Sequence, residues 1–453
     1  MSEVLIVHVI DTEGPLYESL KAKFQRIQSV YNIKIPLKKQ TTKTLKSIKE
    51  KKYPLKGKED LVAHMLNNHL SNYNTNLSMI KRMNSRIFSK EFRKKNRDSF
   101  KKEWVFSWHC LDHVGYKTNP RRRILGYHKI YDFYKNQIKK YKNKSDKLFW
   151  HFHPMSTFKE AHRCATSYAN SPEFYQILCR KIIERNHFPA CFRAGFQSER
   201  PDCNLLLEQW IPFDITNMSS DDSKNLEKTI DFRNGRSGDW RRAPKDWIVY
   251  NPSYDDYQTP GNCNRYIGRA LNVLNRVSSI NQKEISKAFK MANKGKKALV
   301  GLASHDFRNL EYEVNYLREM ILRTSKKFPK VKFRYLDTKC AFNQYLWGNS
   351  VKKKIDLELK YINNKSDVPK IKIECVSGKV FGPQPFLAIK MKNKRFMHDN
   401  LDFDLKKNIW HYAFHSDTLN INQVDTIGVA ANDKYGNTSV KRIKFEKKKF
   451  KYL

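Results

Sequence analysis

Two pairs of residues stand out for chemistry they could share. Asp11 and Glu13 lie two apart in Asp11-Thr12-Glu13-Gly14-Pro15. In extended backbone, positions i and i+2 face the same side, so both carboxylates would enter one site. One could bind a metal while the other acts as a base, their roles separated by environment. His151 and His153 repeat the spacing in Trp150-His151-Phe152-His153-Pro154. Two imidazoles on one face plus a carboxylate make a three-ligand set that leaves water positions open. Zinc so held acidifies a bound water and polarises a carbonyl oxygen. The plainer alternatives are an acidic turn at Asp11 and a pair of partly buried strand histidines.

Two further residues complete a reaction set. Arg193, in Phe192-Arg193-Ala194-Gly195, could orient a catalytic carboxylate by a paired hydrogen bond, or could be half of a structural salt bridge. His305, in Ser304-His305-Asp306, could protonate a leaving amine. Otherwise it is a bystander beside a helix cap formed by Asp306. Asp112 and His113 follow a strand and could line the same cleft, and Arg121, Arg122 and Arg123 could meet a phosphate or an acidic sugar. The segment 239–265 is aromatic and polar without clear periodicity. There Trp240, Trp247, Tyr250 and Tyr257 read either as stacking faces for sugar rings or as a loop packed on the body of the fold.

The elements that must position these residues are legible as apolar runs. Val4 to Ile10 is continuous, as expected of a strand buried on both faces of a parallel sheet. Trp104 to Leu111, Lys147 to Pro154, His187 to Gly195 and Lys296 to Asp306 are four more. Helical stretches such as EFYQILCRKIIERN and YEVNYLREMILRTSKKF lie between them, which predicts an α/β barrel or sheet. Residues near 36–100 are polar and lysine-rich and read as an insertion with helical stretches. Around 345–355 the texture changes to short alternating strands with turn residues, the pattern of an antiparallel sandwich. The expected division is a barrel over 1–347 and an accessory, Ig-like β-sandwich over 350–453.

In this order, the motifs resemble the NodB-homology polysaccharide deacetylases (carbohydrate esterase family 4), in a divergent branch associated with surface-polysaccharide gene clusters. The matching residues are Asp11-Thr12-Glu13, His151-Phe152-His153-Pro154, Phe192-Arg193-Ala194-Gly195, Gly238-Asp239-Trp240 and Ser304-His305-Asp306. The family pattern has adjacent acidic residues and a wider histidine spacing, so its second histidine falls here on His153 or on His162. The resemblance implies a distorted (β/α)7-type barrel. It implies Asp11 as general base, Arg193 positioning it, His305 as general acid, and Asp239 as a further catalytic position. Glu13, His151 and His153 would hold a divalent metal, zinc foremost. The implied reaction removes an N-acyl group, acetyl or formyl, from an amino sugar in surface polysaccharide biosynthesis, the sugar being nucleotide- or lipid-linked.

Composition narrows the partners. The net charge of +43 raises the question of nucleic acid, yet there is no zinc-finger spacing, RNP pattern or basic heptad array. Nucleic acid is therefore not the expected partner, and the lysines read as a solvated surface or as a match to an acidic or nucleotide-linked sugar. None of the eight cysteines forms a CxxC pair, which fits a reduced compartment. The start, MSEVLIVHVIDTEG, lacks a basic n-region, and no stretch approaches the roughly 20 apolar residues of a membrane span. The expectation is a cytoplasmic protein without a membrane span, of undetermined oligomeric state. Two readings of other classes stand beside the enzyme: a catalytically silent carbohydrate-binding protein and a basic polyanion-binding protein.

Overall fold

A computed structural model describes residues 2–115, 125–154, 167–221, 238–275, 277–348, 353–364, 368–446 and 449–453. Its centre is a closed barrel of seven parallel strands: β1 (Glu3–Thr12), β2 (Phe106–Leu111), β3 (Lys147–Phe152), β4 (Cys191–Ala194), β5 (Phe213–Asn217), β7 (Tyr266–Asn272) and β8 (Ala298–His305). The ring closes because β1 pairs with both β8 and β2. A short β6 (Val249–Tyr250) adds antiparallel to β7, and β9 (Lys332–Tyr335) pairs with the first half of β1, below its contact with β2. The parallel barrel surrounded by helices agrees with the sequence reading. A regular sevenfold strand–helix alternation is not seen, since the described chain between β5 and β7 contains only β6 and loops.

Strand parity explains why the motifs converge. Every second residue of a barrel strand points inward. Val7 and Val9 of β1, Phe149 of β3, Cys191 of β4, Ile215 of β5, and Leu299 and Ala303 of β8 form one buried cluster. Continuing that parity toward the carboxyl ends gives Asp11, Glu13, His151, His153, Arg193 and His305. Apolar side chains thus fill most of the barrel, with His109 of β2 buried against Phe149, and the candidate site residues sit on top of them. The helix Thr338–Trp347 supplies Ala341 and Phe342 to the same cluster. The opposite faces of β1 and β2 pack on the surrounding helices through Ile6, Ile10, Phe106 and Trp108.

The lysine-rich excursion is helical. Thr42–Lys49 and Glu59–Met65 build a small core of their own with Phe24, Ile27 and Ile35, whereas Leu77–Ile87 packs on the barrel. Its return is tied to the barrel mouth, where the Asn74 N–H donates to Phe307 O at 2.7 Å.

The remaining chain forms two antiparallel sheets, β10 (Asp356–Ile362), β11 (Lys370–Ser377), β15 (Ile409–Ala413) and β14 (Asp402–Phe403) facing β13 (Phe396–Asp399), β12 (Phe386–Met391), β16 (Val424–Asn432), β17 (Thr438–Glu446) and β18 (Lys449–Tyr452). Leu357, Ile371, Ile373 and Trp410 of the first sheet share one core with Leu387, Ile389, Ile427 and Val429 of the second. This sandwich is docked on the barrel helix Glu173–Arg185, with Phe386, Ala388 and Ala430 joining Ile182 and Trp210 in a common apolar cluster. The seven described cysteines are free thiols. Among the described residues no helix is long and apolar enough to cross a membrane.

Candidate metal centre

Parallel strands place all their carboxyl ends at one mouth, where barrel folds keep their reactive groups. Asp11 registers with His305 across β1–β8, and His151 registers with Arg193 across β3–β4. Side-chain geometry follows this backbone order. The Arg193 Nε–H donates to Asp11 Oδ1 at 2.6 Å, and Arg193 Nη1 donates to Ile215 O at 2.6 Å. Burial alone would raise the Asp11 pKa, but the Arg193 guanidinium, by its charge and its hydrogen bond, outweighs it and holds the carboxyl below its ordinary value. Asp11 is therefore a buried, ionised carboxylate with one oxygen fixed.

Glu13, His151 and His153 are buried and converge. His151 Nε2 lies 3.1 Å from His153 Nε2 and 3.8 Å from Glu13 Oε1, and His153 Nε2 lies 3.7 Å from the same oxygen. Three atoms so spaced are all about 2.1 Å from one common point, which is the bond length of zinc to imidazole nitrogen or carboxylate oxygen (~2.0–2.2 Å). The outer contacts agree. His151 Nδ1 is 3.0 Å from Arg193 O, a carbonyl that can only accept, so Nδ1 carries the proton and Nε2 presents a lone pair inward. These three side chains can hold a metal ion. His305 Nε2 stands 3.7 Å from Glu13 Oε1 and 3.9 Å from Asp11 Oδ2, facing both carboxylates from β8. The two histidines and one carboxylate expected from spacing are thus brought together. His162 and Arg121–Arg123 lie outside the described residues.

The turn behind His153 is unusual. Phe196 and Gln197 both adopt positive φ, 52° and 50°, a left-handed conformation that costs non-glycine residues about 1–2 kcal/mol each. The Phe196 ring packs edge-on to His153 with centroids 4.7 Å apart. Gly238 N–H donates to Phe196 O at 3.0 Å and Trp240 Nε1 donates to Gln197 O at 2.8 Å. The Gly238-Asp239-Trp240 segment therefore braces the strained turn. Asp239 itself is half-buried, and its carboxylate engages Arg241 (Nη2 to Oδ2, 2.9 Å) rather than the Asp11 group. Its expected catalytic position is not supported by these contacts.

Two more expectations need correction. Trp240, Trp247, Tyr250 and Tyr257 are not open stacking faces: all four rings are buried, and their polar tips are used internally. Trp247 Nε1 donates to Glu284 O, Tyr250 Oη to Tyr257 O and Tyr257 Oη to Asp239 O, at 2.8–2.9 Å. Asp112 and His113 do not line a cleft either. Asp112 is buried between Lys181 Nζ at 3.0 Å and His128 Nδ1 at 3.1 Å. Burial opposes its ionisation, and Lys181 and His128 overcome this and hold the carboxyl below the usual range. His113 is buried with Nε2 2.6 Å from Glu13 O. Asp306 does not cap the following helix, whose cap is Asn309; it binds the Glu13–Gly14 turn.

Comparison with known proteins gives no family model, no curated protein and no solved structure that matches this chain.

Proposed function

We propose that this chain is a metal-dependent hydrolase that removes an N-acyl group, acetyl or formyl, from an amino sugar, and that its barrel is a diverged form of the (β/α)7 polysaccharide-deacetylase type. One observation carries the reading: an ionised carboxylate held by an arginine, a three-donor metal group and a histidine facing both carboxylates lie together at the carboxyl mouth of one barrel. Ion pairs held for structure alone need no spacing suited to a metal. Glu13, His151 and His153 would hold the ion, zinc by donor type. Such an ion supplies Lewis acidity toward an amide carbonyl and its attacking water.

The chain's own residues supply the rest. Arg193 fixes Asp11 Oδ1 and leaves Oδ2 on the His305 side, positioned to accept a proton from water. Because Asp11 is held ionised, it is ready as a base at neutral pH. His305 faces both carboxylates from β8, and its imidazolium would give a proton to the departing nitrogen. Below the site the barrel is lined mainly by apolar side chains, with His109 of β2 buried beside Phe149.

The test joins metal content to turnover. Elemental analysis of the purified protein should give about one divalent ion per chain, lost in a His151→Ala, His153→Ala double variant, as expected of a three-ligand site. The loaded protein should release acetate or formate from N-acylated amino sugars, free or nucleotide-linked, and the double variant should not. A wild type that takes up no ion after reconstitution at neutral pH would sink the metal-hydrolase reading. A metal-loaded protein that binds such sugars without releasing acid would point to carbohydrate binding instead.

A further inference from the structure

The metal carboxylate, like His153, sits one residue beyond the end of its strand. β1 ends at Thr12, so Glu13 belongs to a turn, and Gly14 beside it has φ 76°. A turn residue needs something to fix it, and the structure supplies an unusual number of buried polar groups there. The Glu13 N–H donates to Asp306 Oδ1 at 3.0 Å. The Gly14 N–H donates to the same carboxylate, at 3.1 Å to Oδ1 and 2.9 Å to Oδ2. Tyr134 Oη donates to Asp306 Oδ2 at 3.0 Å. On the other side of the peptide, His113 Nε2 stands 2.6 Å from Glu13 O. A carbonyl accepts, so that nitrogen is the donor. Asp306, Tyr134 and His113 are all almost fully buried.

We propose that Asp306, with Tyr134 and His113, is a positioning clamp that sets the geometry of Glu13 as a metal ligand and its separation from His305. The inference rests on the metal reading of Glu13, His151 and His153. Its logic is that a buried carboxylate is costly unless several donors meet it, and Asp306 accepts from the two backbone N–H groups of the ligand-bearing turn. Asp306 also follows His305 directly. One side chain therefore ties the turn after β1 to the end of β8, and fixes the 3.7 Å between Glu13 Oε1 and His305 Nε2. The Asp306 N–H, 3.4 Å from Asp11 O, extends the same strand contact, and Asn74 Nδ2 donates to Asp306 O at 3.0 Å from the helical excursion. His113 is placed by its neighbour, since Asp112 is locked between Lys181 and His128. Groups behind a first ligand commonly change metal affinity by about 10–100-fold when altered.

The experiment compares the full-length wild type with Asp306→Asn, Tyr134→Phe and Asp146→Asn. Asp146 pairs with buried Arg93 elsewhere in the fold, and its variant serves as a control for lost stability alone. Zinc affinity is measured by chelator competition and ligand geometry by the absorption spectrum of the cobalt(II) form, beside thermal melting. Asp306→Asn should weaken zinc binding about 10–100-fold and shift the cobalt spectrum. Tyr134→Phe should change both in the same direction, by about three- to tenfold in affinity. Asp146→Asn should melt earlier yet bind zinc as the wild type does. Wild-type affinity and spectrum in Asp306→Asn overturn the clamp, as does a loss of affinity in Asp146→Asn that matches its loss of stability. If Asp306→Asn does not fold, Tyr134→Phe with wild-type affinity overturns it. A wild type that binds neither zinc nor cobalt overturns the metal reading itself.

Discussion

Gly195 offers a sharp test of the metal centre because its role is spatial. A Cβ built on Gly195 would lie 2.6 Å from His153 Nε2 and nearer still to the ring carbons Cδ2 and Cγ. Carbon–carbon contact is comfortable from about 3.5 Å, so the ring would have to retreat by roughly 1 Å in Gly195→Ala. It has little room, since the Phe196 ring packs against it and the Phe196–Gln197 turn is held by Gly238 and Trp240. A shift of that size breaks the donor triangle, because metal–ligand bonds tolerate about ±0.2 Å. The expected result is at least about a 10-fold loss of zinc affinity. Overpacking should cost a further ~1–3 kcal/mol of stability. Chelator competition reads the first and urea unfolding of the metal-free protein reads the second. A Gly195→Ala protein that binds zinc as tightly as the wild type would refute the placement of His153 as a ligand.

Other consequences follow from the same geometry. Asp11→Asn preserves size, and turnover should drop about 10²–10⁴-fold while metal content stays near wild type; full turnover in that variant would remove Asp11 as the base. His305→Ala should lose a comparable factor with the metal retained, and a rate within a few-fold of wild type would move the acid elsewhere. Stability should fall on mild acidification. Burial pushes His8 and His109 down to about 3 in the folded chain, against an ordinary value near 6.5. The unfolded chain gains protons below 6.5 and the folded one does not, so their contribution is intact above 6.5 and lost progressively toward 3. At pH 5 the loss is about 2 kcal/mol per histidine. Urea midpoints at pH 7 and pH 5 check this, and equal midpoints would show that these imidazoles are not held neutral.

How legible this was in the sequence depended on what each strand buries. β1, β2, β3, β4 and β8 read as strands because each lies in a largely apolar run. β5 and β7 escaped notice because FDITN and YIGRALN carry buried charges. Asp214 meets Arg265 at 2.7 Å, and Arg269 meets Glu284 at 2.8 Å, so polarity there signals an internal ion pair and not a surface. The chemical residues were legible through spacing, since i, i+2 pairs at strand ends share a face and parallel strands share a mouth. The aromatic segment misled for the converse reason: composition does not say whether a tryptophan's N–H faces a sugar or a carbonyl of its own chain. Asp112 left one overlooked signal. Lys181 stands among Ile177, Leu178, Ile182 and Ile183 on a helix, and a lysine in such company needs a buried acid. The clamp by Asp306 had no local signal, because it depends on β8 lying beside β1.

The sandwich bears on the site through one helix. Glu173–Arg185 connects β3, which carries His151, to β4, which carries Arg193. The second domain grips that connection closely. A Cβ on Gly428 would lie 2.5 Å from Ile182, and Arg442 Nη1 donates to Ile183 O at 2.8 Å. Asn432 Nδ2 donates to Pro189 O and to Trp210 O, both at 2.9 Å, just outside β4 and β5. These contacts fall on the helix between β3 and β4 and on the residues that lead into β4 and β5. Without the sandwich, Trp210 and the apolar side of the helix would face water, and burying one such side chain is worth about 1.5–3 kcal/mol. The docking therefore places the accessory domain behind the half of the barrel that carries His151 and Arg193, against the helix and the loops that lead into β4 and β5.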